Sequence, residues 1–223
     1  AIVLSNYPMA EPATVTNQRQ QRREQTRLQI LDAAGRVFGQ WGFEAASMAD
    51  IAERAGLKKA LVQYHFSTKE NLWKAAVAHL WQQRDEVMPR YLAASEADRR
   101  GGSEASLREV FSAIVRFTKH HPEWITLMFR ESSNPGSRLD WLIENYLRSD
   151  LERGSAFIAT AQKDGLLPKG SPLQLLHLIS GALSYNLLVA PMTGRATGTD
   201  LSSEEAIAEQ VELLMQLLTR PDG

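Results

Sequence analysis

Apolar residues recur at steps of three and four along most of the chain, which is the period of an amphipathic helix. The first clear example runs over residues 25–41, with Leu31, Ala34 and Phe38 on one side and Gly42 as a C-terminal stop. No segment alternates between apolar and polar residues over a long stretch, as a half-buried strand requires. The pattern therefore predicts an all-α protein.

Further helices are predicted between polar stretches that are rich in proline and glycine. They cover residues 47–55, 59–66, 68–88, 107–120, 122–132, 138–163, 172–189 and 203–219. Ser47 is an expected N-cap, and Asp50 follows it at the third position. Pro89 is expected to end or bend the fourth helix, and the stretches GLLPKGSP and PMTGRATGTD are expected to be loops.

The two short helices over residues 47–55 and 59–66 have the spacing of a helix–turn–helix. Ala52 offers a small residue at the crossing, Gly56 tolerates the positive φ of the turn, and Val62 follows as an apolar anchor. On the second helix Val62 and Phe66 share one face, which we expect to be buried. Helical hairpins of other kinds can have the same spacing, so the motif is moderately specific.

The other face of the second helix carries groups that suit a DNA major groove. Gln63 can pair with adenine, and Lys59 can reach guanine or a phosphate. Lys58 and Lys59 also stand at the helix start, where the helix dipole disfavours a cation unless an anion lies nearby. The alternative interpretation is a solvated helix end with two ordinary surface lysines.

Charge is unevenly distributed along a chain whose net charge is −1. Residues 17–74 hold ten Lys or Arg against six Asp or Glu, while the remainder is acidic. This favours a basic module that meets a polyanion, although chance scatter of surface charge explains a mild asymmetry as well. Arg19, Arg22, Arg23 and Arg27 either extend such a footprint into an adjacent groove or belong to a soluble leader.

The segment ILDAAGRVFGQWGFEAASMADIAERAGLKKALVQYHFSTKENL resembles the amino-terminal domain of the TetR family of transcriptional regulators. The matching positions are Ile30, Leu31, Ala33, Ala34, Phe38, Gly42, Phe43, Ile51, Ala52, Ala55, Gly56, Tyr64, His65, Phe66, Lys69 and Leu72. The resemblance implies a three-helix helix–turn–helix DNA-binding domain over residues 25–72. A helical-bundle domain for ligand binding and dimerisation would cover residues 73–220, and a flexible, basic-ended arm would cover residues 1–24.

The resemblance also implies that residues 59–65 form the recognition helix. The expected DNA-binding residues are Ser47, Met48, Lys58, Lys59, Ala60, Leu61, Gln63, Tyr64, His65 and Lys69. Family members direct the positions of Lys59, Ala60, Leu61 and Gln63 to bases, and those of Tyr64, His65 and Lys69 to phosphates. Lys58, Ala60 and Gln63 replace the usual Ser, Gly and Tyr. The operator sequence of a relative therefore cannot be assigned to this protein.

Beyond residue 90 the resemblance is weak, but large apolar residues mixed with isolated polar ones are typical of a ligand cavity. The candidates for ligand binding are Trp124, Met128, Phe129, Trp141, Tyr146, His177, Tyr185 and Asn186. Ordinary core packing is the alternative for each of them. Residues 151–161 and 173–188 are the expected dimer faces, and Ala156 and Gly181 would allow close approach of a partner helix.

The predicted function is a ligand-responsive, homodimeric DNA-binding regulator, a repressor that a small molecule releases from double-stranded operator DNA. We expect a cytoplasmic protein without a cofactor, a metal or a membrane span, because cysteine is absent and no apolar run approaches about 20 residues. The start of the chain is not typical of a secretory signal. The alternatives are a ligand-binding scaffold without DNA binding and a helical enzyme, for which no phosphate loop, metal-ligand spacing or nucleophile–base pattern is visible.

Overall fold

The structure, a computed structural model, describes residues 13–97 and 103–219. Every regular element in these ranges is helical, which confirms the predicted all-α class. The helices are α1 (Ala13–Ala45), α2 (Met48–Arg54), α3 (Lys59–His65), α4 (Lys69–Ala97), α5 (Glu104–His120), α6 (Pro122–Ser132), α7 (Ser137–Leu142), α8 (Arg148–Lys163), α9 (Pro172–Thr197) and α10 (Glu204–Leu218). A π-helical turn, Ile143–Leu147, joins α7 to α8.

The first helix begins well before the position that the apolar pattern predicts. It starts at Ala13 instead of Gln25, so the flexible arm expected over residues 1–24 is wrong for residues 13–24. Residues 1–12 of that arm lie outside the described part of the chain. Periodicity reports burial, whereas Gln, Arg and Glu continue a solvated helix without burying anything.

Two prolines lie inside helices. Pro89 was expected to end or bend the fourth helix, and the helix over residues 172–189 was expected to stop before Pro191. Helix α4 continues past Pro89 to Ala97, and α9 continues past Pro191 to Thr197. The predicted loop over residues 191–200 is therefore wrong for its first seven positions. A proline removes one backbone donor and bends a helix, but the neighbouring turns keep their own bonds.

Two hydrophobic clusters hold the helices together. The first is built from α1, α2, α3 and α4, together with Leu127 of α6 and Leu142 of α7. The second is built from α5, α8, α9 and α10. Trp73 and Trp81 of α4 are almost fully buried in the first cluster. The helices of the helix–turn–helix therefore share one core with part of the following region, and this core crosses the predicted boundary between residues 72 and 73.

Helices α1 and α6 also approach each other closely at Gly39. A Cβ atom added there would lie 2.9 Å from the backbone of Glu123 and 2.9 Å from the hydroxyl of Thr126. Only glycine fits such a contact without a shift of one helix. This close packing places the end of α1 directly against α6.

Candidate nucleic-acid interface

Helices α2 and α3 form the helix–turn–helix that the sequence predicts. Gly56 adopts a φ of +66° in the turn, and the amide of Leu57 donates to the carbonyl of Ala52 over 2.9 Å. Val62 is fully buried and Phe66 is 6% exposed, so both anchor α3 from behind. The turn glycine and the anchors fix which side of α3 faces outward.

The outward side of α3 collects the residues that were expected to read bases. Lys59, Ala60, Leu61, Gln63 and Tyr64 are all exposed, and Tyr64 reaches 70%. Within the described part of the chain, the side-chain amide of Gln63 makes no hydrogen bond, so its donor and acceptor remain available. The helix therefore presents an ammonium group, a small residue, an amide and a phenol on one convex face.

His65 is half-buried at the end of α3. Burial lowers its pKa below the ordinary 6.5, and the charges of Arg23 and Arg27 lower it further. Both effects favour the neutral imidazole in the free protein. A nearby phosphate would act in the opposite direction, because an opposite charge favours the protonated form.

The start of α2 is closed by a capping box. The Ser47 hydroxyl accepts from the amide of Asp50 over 3.2 Å, and the Asp50 carboxylate accepts from the amide of Ser47 over 2.9 Å. The Ser47 amide is thus engaged inside the protein. The amide of Met48, in the first turn of α2, has no intrahelical acceptor, and it is therefore the better candidate for a phosphate contact.

Lys69 corrects one expectation. Its ammonium donates to the carbonyl oxygens of Phe43, Glu44 and Ala46 over 2.9, 3.4 and 3.1 Å. An ammonium group has three donors, so none remains for a phosphate. The structure assigns Lys69 to the fold, where it ties the start of α4 to the end of α1.

Four of the residues predicted to bind a ligand pack against the first hydrophobic cluster. They are Trp124, Met128, Trp141 and Tyr146. The ring of Tyr146 lies 5.0 Å from that of Trp81 and 5.7 Å from that of Trp141. Burial raises the pKa of the Tyr146 hydroxyl, and Asp85 raises it further. Trp124, Trp141 and Tyr146 form an aromatic cluster with Trp81 between α4, α6, α7 and the π-helical turn.

The other four predicted ligand residues lie elsewhere. Phe129 on α6 is 49% exposed, and Tyr185 on α9 is 60% exposed. His177 is exposed as well, with Nδ1 2.9 Å from the carbonyl oxygen of Leu173, so the alternative of a core histidine is wrong for this chain. Asn186 is half-buried on the same helix. The structure therefore does not bring the eight residues together around one space.

A cavity of about 420 Å³ lies between α5 and α8, and none of the eight predicted ligand residues lines it. Its lining residues are Ser103, Ser106, Leu107, Val110, Ala156, Phe157, Thr160, Ala161, Asp164 and Leu166. The volume falls in the range of small-molecule sites. Sequence reasoning missed this cavity because small side chains such as Ala156 carry no signal for the space beside them.

An ion pair between α4 and α8 was also not predicted. The Arg84 guanidinium donates to both carboxylate oxygens of Asp150, and the Trp81 indole donates to one of them over 3.0 Å. Burial alone would raise the pKa of Asp150, but the hydrogen bonds from Arg84 and Trp81 outweigh it and hold this pKa below its ordinary value. The pair ties the helix that follows the helix–turn–helix to the second cluster.

Two arginines, one on α6 and one on α7, bind the C-terminal end of α1. Arg130 of α6 donates to the carbonyl oxygens of Gly39 and Gln40 over 3.2 and 2.8 Å. Arg138 of α7 pairs with Glu44 over 3.2 Å. Helices α6 and α7 are therefore both bonded to the end of α1.

Two protein-family models match this chain, one over the helix–turn–helix and one over the later helices. The family model described as bacterial regulatory proteins, tetR family, matches residues 30–76. The model described as Tetracyclin repressor-like, C-terminal domain, matches residues 104–218, which is more than half of the chain. The two matches cover the helix–turn–helix and the bundle that follows it.

Individual relatives agree with the family models. The chain is 26% identical over 190 residues to the HTH-type transcriptional regulator RutR of Escherichia coli (strain K12), covering 85% of this chain and 86% of RutR. It is 29% identical over 121 residues to the HTH-type transcriptional repressor NicS of Pseudomonas putida, covering 54% and 55%. The crystal structure of HlyIIR, a hemolysin II transcriptional regulator, superimposes with a TM-score of 0.63 at 24% identity, over 89% of this chain and 99% of HlyIIR.

Proposed function

The chain belongs to the TetR family of bacterial regulatory proteins, and we propose that this DNA-binding transcriptional regulator is a homodimeric repressor which a small molecule releases from its operator. The observation that carries the proposal is the outward face of α3. Lys59, Gln63 and Tyr64 lie exposed on it, while Val62 and Phe66 hold it against the core. Such a face presents hydrogen-bonding groups to base edges in a major groove.

Repression is the sign of regulation that we propose. NicS, which matches about half of this chain, is named a repressor. A regulator that covers an operator next to a promoter blocks transcription by occupying the DNA. We place this activity in the cytoplasm, where the operator is found.

A second copy of the chain is proposed to dock on α9 and α10. Large apolar side chains remain exposed there: Leu173 is 46%, Leu178 70%, Met192 63% and Leu217 72% exposed. Such a surface is unusual on a monomer and typical of an oligomer contact. By length and composition α9 would also span a membrane, but helices that pack against other protein pass the same test.

Dimerisation would give the DNA-binding surface its specificity. Two α3 helices placed about 34 Å apart enter successive major grooves on one side of the duplex. A near-palindromic operator is therefore the expected target, and neither subunit alone would read it fully.

The cavity between α5 and α8 is the proposed effector site. Its walls are largely apolar, and Thr160 and Asp164 supply polar groups. We expect an effector with an apolar body and at least one hydrogen-bond donor. It can release the protein from DNA only if it binds the free conformation better than the DNA-bound one.

Fluorescence anisotropy with the DNA upstream of the protein's own gene tests the proposal. We expect tight binding with a stoichiometry of two chains per duplex, and weaker binding to a shuffled duplex of the same length. Equal affinity for both duplexes, or one chain per duplex, would contradict it.

A further inference from the structure

One side of α1 changes its chemistry where the helix leaves the core. Ile30, Ala34 and Val37 are buried on this side. Three- and four-residue steps toward the N-terminus lead from them to Arg27, Arg23 and Arg19. At about 100° per residue these six positions fall within about 80° of one another. The side that packs on the protein therefore continues as a row of arginines, which we call the arginine row.

The arginine row begins beside the recognition helix. The guanidinium of Arg27 lies 5.7 Å from the centre of the Phe66 ring, and that of Arg23 lies 5.9 Å from the Tyr64 ring. Both distances are those of a cation–π contact. Because Tyr64 is itself exposed on the outward face of α3, the arginine row and this face form one continuous surface.

The row extends this surface well past α3. At 1.5 Å per residue, Arg19 lies about 12 Å beyond Arg27 along the helix axis. That length corresponds to about three to four base pairs of duplex. Arg22 adds a fourth cation at the edge of the row, against one carboxylate, Glu24, in the same stretch. The surface beside α3 is therefore extended by about 12 Å of basic helix.

A helix cannot enter the narrow groove as a flexible arm would. An α-helix with its side chains is about 10 Å wide, whereas the minor groove of B-DNA is about 6 Å wide. The groups within reach of the arginine row are consequently the phosphates along the groove edges. Since the helix is already formed, little ordering entropy would be lost on contact.

We propose that residues 17–27 are a second DNA-binding element, a helical arginine row that contacts phosphates flanking the base pairs read by α3. The inference rests on the DNA binding proposed above and adds a contact region to it. Phosphate contacts carry no sequence information of their own, so this element lengthens the footprint and strengthens binding without changing base preference.

The test compares two duplexes that contain the same binding site. The wild-type protein first selects this site from a pool of random sequences. One duplex is trimmed to the selected base pairs, and the other extends five base pairs further on each side. The variant Arg19→Gln/Arg23→Gln should bind the long duplex more weakly than the wild type does. Its plot of log K against log salt should flatten by about 0.9 for each phosphate that the variant no longer neutralises. On the trimmed duplex, where Arg23 beside Tyr64 is still close to the DNA but Arg19 has no phosphate to meet, the weakening should be clearly smaller.

Matched variants separate a phosphate contact from other effects. Arg36→Gln removes a charge from the opposite side of α1 and should leave the salt slope unchanged. Arg19→Lys/Arg23→Lys keeps the charges and should restore most of the affinity, and the glutamine variant should still unfold in one cooperative transition.

Three results would overturn the inference: wild-type affinity of the glutamine double variant on the long duplex, an equal weakening on both duplexes, or an equal effect of Arg36→Gln. A wild-type protein that selects no sequence from the pool would instead contradict the proposed function itself.

Discussion

The Nζ atom of Lys69 lies 2.9 Å from the carbonyl oxygen of Phe43 and 4.4 Å from the centre of the Phe43 ring. Just before Phe43, α1 is broken at Gly42, which has a φ of 80°, and the carbonyls beyond the break need donors. Lys69 of α4 donates to these carbonyls, and Arg130 of α6 donates to the carbonyls before the break. One end of α1 is thus held by cations from two neighbouring helices.

Lys69→Ala should therefore destabilise the fold while leaving the electrostatics of DNA binding unchanged. Hydrogen bonds that involve a charged group contribute about 1.5–3 kcal/mol, so we expect a decrease of that order in the free energy of unfolding, measured by urea denaturation. The dependence of log K on log salt should keep its slope. The matched variant is Lys58→Ala, an exposed lysine at the start of α3, which should show the reverse: an unchanged unfolding midpoint and a slope flatter by about 0.9 per subunit.

Gln63→Ala should relax discrimination at one base pair. An amide that pairs with the edge of adenine contributes about 1–3 kcal/mol against the wrong base. The measurement is the affinity for a set of duplexes that differ at single positions of the selected site. A uniform decrease over the whole set would remove Gln63 from base reading and leave it a non-specific contact.

Acidification should tighten operator binding through His65. In the free protein, burial and two arginines hold its pKa below 6.5. A phosphate beside the ring raises the pKa in the complex, so binding takes up a proton as the pH falls between the two values. Affinity measured between pH 8 and pH 5.5 should therefore rise toward low pH, by at most about one decade per pH unit and subunit. His65→Gln should flatten this profile, and an equally steep profile in the variant would mean that another group takes up the proton.

Much of the helix–turn–helix was predictable from sequence, because its requirements are local. Gly56 needs a positive φ, Ser47 caps with Asp50, and Val62 and Phe66 repeat at helical spacing. Each of these signals lies within a few residues of the feature that it determines. The exposure of Gln63 was expected because it lies outside the buried face that Val62 and Phe66 share.

Features that depend on distant residues were not predictable in the same way. Lys69 matches the family pattern in sequence, yet its donors are used by carbonyls some 25 residues away. The Arg84–Asp150 pair joins positions on two separate helices, and no local pattern marks it. The early start of α1 was not predicted because a solvated helix has no apolar period.

The proposed dimer surface can be tested with a single charge. Leu178→Glu places a carboxylate at an α9 position that is 70% exposed in one chain and would be desolvated between two. Sedimentation should show a monomer, and operator affinity should fall about tenfold or more, because the α3 helices are no longer paired. Phe129→Glu alters an exposed apolar residue of α6 outside this surface and should remain dimeric. Dimeric Leu178→Glu protein would move the interface away from α9.

Filling the cavity between α5 and α8 should separate effector response from DNA binding. Ala156 lines this cavity, and a tryptophan there would occupy much of the space that an effector needs. Compounds that raise the melting temperature of the wild-type protein and release it from its operator provide the probes. Ala156→Trp should bind the operator with wild-type affinity but resist release, whereas Glu152→Trp places the same bulk on α8 outside the cavity and should respond normally. If the probes release Ala156→Trp as readily as the wild type, the effector binds elsewhere, and the aromatic cluster of Trp141 and Tyr146 becomes the next region to block.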